Sequence, residues 1–119
     1  MRNLSTVVAA FCILLAATIA LAEETKEAKE QWTCAIPVSG RHSTAELAKM
    51  AKVSMADAEK AALAAVEAKD ADKKVKGREM EVERGCLIYS FDISIASRKG
   101  IEEIIVDAGT GKVLAHEQE

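Results

Sequence analysis

The chain has 119 residues, of which 29% are charged and only 3% aromatic, and its formal net charge is −3. That length holds one small domain, and with so few aromatics the core has to be aliphatic and alanine-rich. The mildly acidic balance, with no clustered basic face, excludes the electrostatic footprint of a nucleic-acid binder.

Residues 1–22 read as a signal peptide. Arg2 gives a cationic start, Val7 to Leu21 is almost wholly apolar, and Ala20 and Ala22 supply the small residues a signal peptidase needs. The alternative is an uncleaved anchor helix, but the apolar run falls short of the roughly 20 residues that cross a bilayer. Cys12 follows Phe11 rather than a small residue, which argues against lipid attachment. Cleavage after Ala22 starts the mature chain at Glu23, removes Arg2 and leaves no stable membrane span. The expected location is periplasmic or secreted. Cys34 and Cys86 are then the only cysteines, in a compartment where disulfides persist. An even pair in a small exported domain favours a Cys34–Cys86 bridge over two ordinary buried thiols.

Residues 23–42 form an N-terminal arm. Glu23 to Gln31 is a solvated, charged lead-in, after which Trp32, Cys34, Ile36 and Val38 fall on alternate positions. Pro37 lacks an amide hydrogen, so this segment is an edge strand or an irregular extended arm. A Cys34–Cys86 bridge would hold it down as a strap with Trp32 buried; an exposed Trp32 would instead be a contact residue.

Ser43 and Glu46 make a capping box, and Leu47, Met50 and Ala51 follow at helical spacing, predicting a short helix near residues 44–51. Ser54 with Asp57 repeats the start signal. The second helix is expected from about Met55 to Lys69, with Met55, Ala58, Ala62, Ala65 and Val66 on one face. Small alanines there let the helix axis lie close to a sheet. Asp70 to Lys76 reads as a polar connection, with Gly77 opening the first strand. Met80 and Val82 alternate with Glu79, Glu81 and Glu83, so that strand has one apolar and one acidic face. Arg84-Gly85 is a tight turn. Leu87, Tyr89, Phe91, Ile93 and Ile95 then alternate with Ile88, Ser90, Asp92 and Ser94, the period of a half-buried strand. The polar turn Ser97–Gly100 leads to a second β-rich run ending at Asp107, an antiparallel hairpin. The chain turns again through Ala108–Gly111 and leaves in Val113-Leu114.

The motifs that would carry chemistry fail on inspection. Asp70, Asp72 and Glu81 fit three positions of a calcium loop, but Lys74 stands where an oxygen ligand is needed and Val75 where glycine is required. Gly111-Lys112 suggests a phosphate loop, yet Val106 occupies the place of its first glycine and Val113 that of the magnesium-binding hydroxyl. In the structural reading Asp107 accepts amide hydrogens from the turn it opens, and Gly111 takes a left-handed conformation. His42 and His116 lie in separate segments without metal-ligand spacing. No serine sits in a nucleophile elbow, and no carboxylate pair stands out for acid–base work. The chain reads as a non-enzyme with no cofactor.

The order of elements, with Val53-Ser54 and Ala58 at a helix start, Ala62 or Ala65 further on, Tyr89 in a middle strand and Val106-Asp107-Ala108 through Thr110-Gly111-Lys112-Val113 at the close, resembles the PepSY domain family. The resemblance covers roughly residues 43–117 and makes 43–119 the expected PepSY-like domain. Where the family often breaks after the helix with Pro-Gly, this chain runs from Glu67 to Lys76, and Cys86 is an addition before the tyrosine strand. The resemblance implies an α+β fold: an Ala-rich helix, with the short helix before it, packed on an antiparallel sheet of three to four strands. It also implies a place outside the cytoplasmic membrane, and a role in binding and inhibiting peptidases. Ser54, Ala58, Tyr89, Asp107 and Gly111 match as structural positions, and no catalytic residue carries over.

Two functions follow as expectations. The first is an exported, non-catalytic protein-binding module that restrains a peptidase or docks on another envelope protein, since a small sheet has edges open to strand addition. The second is an envelope accessory or sensory protein that binds a small ligand, ion or cell-wall component through its acidic face.

Overall fold

The computed structural model describes residues 31–119; the expected signal peptide and the arm's first residues, 23–30, lie outside them. Two helices, α1 (Thr44–Met50) and α2 (Met55–Ala65), precede four strands: β1 (Lys73–Glu83), β2 (Cys86–Ile95), β3 (Glu102–Asp107) and β4 (Val113–Gln118). Every strand pairs antiparallel with its neighbour in chain order, so the sheet is a meander, β1-β2-β3-β4. This is the α+β arrangement expected, two helices on a four-stranded antiparallel sheet.

Both helices start where their serines dictate. Ser43 Oγ accepts from Glu46 N while Glu46 Oε1 accepts from Ser43 N, a complete capping box, and Ser54 Oγ accepts from Asp57 N at 3.0 Å. The end of α2 differs from expectation. It stops at Ala65, not Lys69, because Val66 turns to an extended conformation (φ −91°, ψ 123°) and is buried in the core. No basic residue lies in its last turn; instead Lys73 reaches back from β1 and donates to the Leu63 carbonyl at 2.6 Å. The presumed polar connection is also shorter. Asp70–Asp72 is one 3₁₀ turn, and β1 begins at Lys73, opposite Ile95, rather than at Gly77. A bulge between Val75 and Gly77 breaks the two-residue period there and hides the strand's start from a pattern reading. The β1–β2 turn is the tight two-residue kind, with Arg84 (φ 51°) and Gly85 (φ 76°) both left-handed.

One face of the sheet carries the main core. Leu87, Tyr89, Phe91, Ile93 and Ile95 of β2, with Ile104 and Val106 of β3, pack against Ala58, Ala62 and Val66. The two alanines are fully buried, which is how α2 comes close enough to cover the strands. A second, smaller cluster lies on the opposite face: Cys86, Ile88 and Ile105, with Trp32, Cys34, Leu114 and Ala115 against it. The first half of β2 is therefore buried on both sides, although its alternation promised one.

Candidate functional site

Tyr89, Asp107 and Gly111 lie around one joint, where the end of β3 meets the link between the helices. Asp107 ends β3 and is 2% exposed. Its Oδ1 accepts from Gly109 N (2.8 Å), and its Oδ2 accepts from Thr110 Oγ1 (3.2 Å) and from Ala35 N (3.1 Å), 72 residues away in the arm. Asp107 thus closes its own turn and fastens the arm in one act. Ala108, fully buried, lends its carbonyl to Lys52 N and Val53 N, both at 3.0 Å. Tyr89 adds a bond from its hydroxyl to the Val53 carbonyl at 2.6 Å. The link between the helices is so clasped to the sheet, and Ser54, capping α2, and buried Ala58 follow directly from it. Gly111 has φ +81° and faces Val53, with a Cβ placed there 3.7 Å from that side chain. Burial pushes the Tyr89 hydroxyl above its ordinary pKa, so it stays a donor across the working range.

The arm crosses this joint. Cys34 is bonded to Cys86 with the two Cα atoms 5.9 Å apart. Beyond the bond, Leu87 N donates to Ile36 O (3.0 Å) and Val38 N to Gly85 O (2.8 Å), so Pro37 sits opposite Cys86 where no amide hydrogen is needed. The arm takes the place beside β2 that β3 leaves, since β3 pairing begins only at Ile88↔Asp107. Gly109 has to be glycine for a reason the sequence did not disclose: a Cβ there would stand 2.5 Å from that of Ala35. Trp32 is half-buried on the second cluster, with the Arg84 guanidinium 4.4 Å above its ring.

Histidines do not gather. His42 Nε2 lies 3.0 Å from Ser39 O on the surface, while His116 Nε2 meets Glu102 Oε1 at 2.5 Å. Glu102, 6% exposed, also accepts from Arg98 at 2.8 Å, a polar cluster that sequence reading missed because the partners come from a loop and two strands. Among the described residues no group of three or more His, Cys, Asp or Glu side chains is placed to hold a metal ion.

Two surfaces stand out among the described residues. A cavity of about 660 Å³ lies between α2 and the first half of β1, lined by Leu63, Ala64 and Val75 together with Lys60, Lys73 and Arg78. Arg78 there pairs with Glu59 at 2.7 Å. The other is the sheet face away from the helices, where Glu79, Glu81 and Glu83 stand opposite Ser90, Ile88 and Cys86, with Asp92 and Glu103 beyond. Burial first, then the carboxylates of Glu83, Glu79, Glu103 and Asp92, push the Glu81 carboxyl above its ordinary value. Glu103 is raised by burial too, against a lowering hydrogen bond from Ser90. Among the described residues no helix is long and apolar enough to cross a membrane.

The family model PepSY, described as peptidase propeptide and YPEB domain, matches residues 52–117, from the helix link to the end of β4. No curated protein and no solved structure matches the chain. Such domains are generally non-catalytic propeptide or inhibitor-like modules that tend to bind peptidases, and they are typically extracellular. A match over more than half of the chain, from the helix link through β4, makes this protein a member of the PepSY family.

Proposed function

We propose that this protein is an exported, non-catalytic binding module that restrains a peptidase in the cell envelope or outside the cell. One observation carries the reading. Tyr89, Asp107 and Ala108 are spent inside the joint, holding the helix link, arm and sheet together, while the longest backbone edge in the domain, that of β1, is at the end of the sheet order. A rigid scaffold with an open edge is built to present a surface rather than to turn over a substrate. The disulfide and the family's usual location support export, with residues 1–22 as the leader and 43–119 as the working domain.

The test is titration of the exported protein against a thermolysin-type metallopeptidase and peptidases from the same envelope. Saturable inhibition without cleavage of the module is expected; neither inhibition nor a complex with any of them would overturn the reading. Intact mass of the exported chain is expected to begin at Glu23. A second reading, an accessory that binds a small ligand, draws on the cavity beside α2. It would win if a small envelope component, and no peptidase, raised the melting temperature.

A further inference from the structure

The hydrogen-bond phase of β1 can be read from its neighbour. Leu87 donates its amide to Ile36 O and lends its carbonyl to Ala108 N, so both groups face away from β1. Its partner on β1, Val82, therefore sits in a non-hydrogen-bonded pair, and the Val82 N–H and C=O point outward from the sheet. The register is unbroken from Gly77 to Glu83, so the same holds two and four residues earlier, at Met80 and Arg78. Among the described residues none of these outward backbone groups is paired with another backbone group. Side chains alternate about this edge. Arg78, Met80 and Val82 lie on the helix side, with Val82 37% exposed, and Glu79, Glu81 and Glu83 on the other.

We infer that the outer edge of β1, from Arg78 to Val82, takes an added β-strand from a partner protein, an extended segment that alternates Lys or Arg with apolar residues. The apolar positions lie beside Met80 and Val82, and the basic ones beside Glu79, Glu81 and Glu83, as cross-strand neighbours on one face. A second copy of this chain is the wrong occupant. Two-fold pairing about Met80 sets Glu79 of one copy against Glu81 of the other, and the reverse, like charges directly opposed. The crowded carboxylates that raise Glu81 favour a cation at that spot for the same reason. The bulge between Val75 and Gly77 ends the flat run and limits the added strand to the span Gly77–Glu83. At the other end of the sheet β4 is shorter and its register with β3 is broken between Ile105 and Val106, a poorer template. The proposal rests on the reading of this chain as a protein-binding module and names the surface it uses.

The probe is an acetylated peptide Lys-Val-Lys-Val-Lys-Val-Lys, added to the isotope-labelled exported protein and followed by amide chemical shift and hydrogen exchange. A Glu-for-Lys version serves as the charge control. Two further versions carry N-methyl groups on the valine amides or on the lysine amides, which face β1 in antiparallel and parallel addition respectively. Slowed exchange at Arg78, Met80 and Val82 is expected with the basic peptide, with at least tenfold weaker binding by only one of the methylated forms. Val82→Pro removes the outward donor at a position that proline tolerates on an edge, and should weaken binding as much. Glu81→Lys should shift the preference toward the acidic peptide. No binding by the wild-type protein, equal binding of the acidic peptide, unchanged binding of both methylated forms, or protection confined to β4 would each overturn the proposal. A wild-type protein that takes the basic peptide here yet restrains no peptidase overturns the proposed function and leaves this site standing. A Val82→Pro protein that restrains the peptidase as well as wild type does the reverse.

Discussion

Asp107→Ala probes the joint at its centre. The substitution strips the acceptor from two amides, Ala35 N at 3.1 Å and Gly109 N at 2.8 Å, and from the Thr110 hydroxyl at 3.2 Å. Thr110 is exposed and its hydroxyl can turn to water at little cost. Each amide left unsatisfied costs about 1–3 kcal/mol, and water reaches Ala35 more easily than Gly109, so the total comes to about 2–4 kcal/mol. Against a whole-domain stability of about 5–15 kcal/mol that is a large share. At about 4–8 °C per kcal/mol for a domain of this size, it lowers Tm by roughly 8–32 °C. Thermal melts of the oxidised protein by circular dichroism measure it, and Asp107→Asn, which keeps one acceptor, should fall between. Because the Cys34–Cys86 bond holds the same arm, the losses from Asp107→Ala and Cys34→Ser should exceed additivity when combined. A loss below about 1 kcal/mol, or an Ala35 amide that exchanges no faster in the variant, would refute the claim that this carboxylate fastens the arm.

Reduction of the Cys34–Cys86 bond, which spans 52 residues of sequence, should cost about 4 kcal/mol by the chain-entropy estimate, read as a fall in Tm on adding reductant that Cys34→Ser abolishes. Gly111→Ala should cost about 1 kcal/mol for placing a Cβ at φ +81°, whereas Lys112→Ala, exposed after the turn, should lie within about 0.5 kcal/mol of wild type; denaturant melts rank the two. Glu81, raised by burial and by its carboxylate neighbours, holds its proton more tightly in the folded chain than in the unfolded one. Its contribution is therefore complete below the ordinary carboxylate pKa and is lost as pH climbs through the raised folded value. Glu81→Gln should flatten that slope and raise stability at neutral pH, a result that a pH series of melts decides.

Local signals were enough for much of this domain. The serine caps place both helix starts without reference to anything else, because the bonds they make are three residues long. The two-residue period of β2 names the side chains that face α2, and Ala58 and Ala62 announce a close helix-to-sheet approach. The turn chemistry of the closing run from Val106 to Val113 is written in consecutive residues, with Asp107 bonded to Gly109 and Thr110, so it too was legible. What the sequence hides is whatever depends on distant partners. Helix α2 ends four residues early because Val66 turns into a core assembled from other strands, and β1 starts early because its partner, not its own pattern, carries it through the bulge. The partners of Asp107 and Gly109 in the arm lie about 70 positions away in sequence, so no window could show that Asp107 holds the arm or that Gly109 must lack a side chain. Likewise Glu79, Glu81 and Glu83 read as an acidic face with no place in the fold until the topology put β1 at the end of the sheet, with its backbone turned outward by the bonds of Leu87. Propensity and capping are settled within a few residues, whereas edges, crossings and shared carboxylates come into being only when the chain closes on itself.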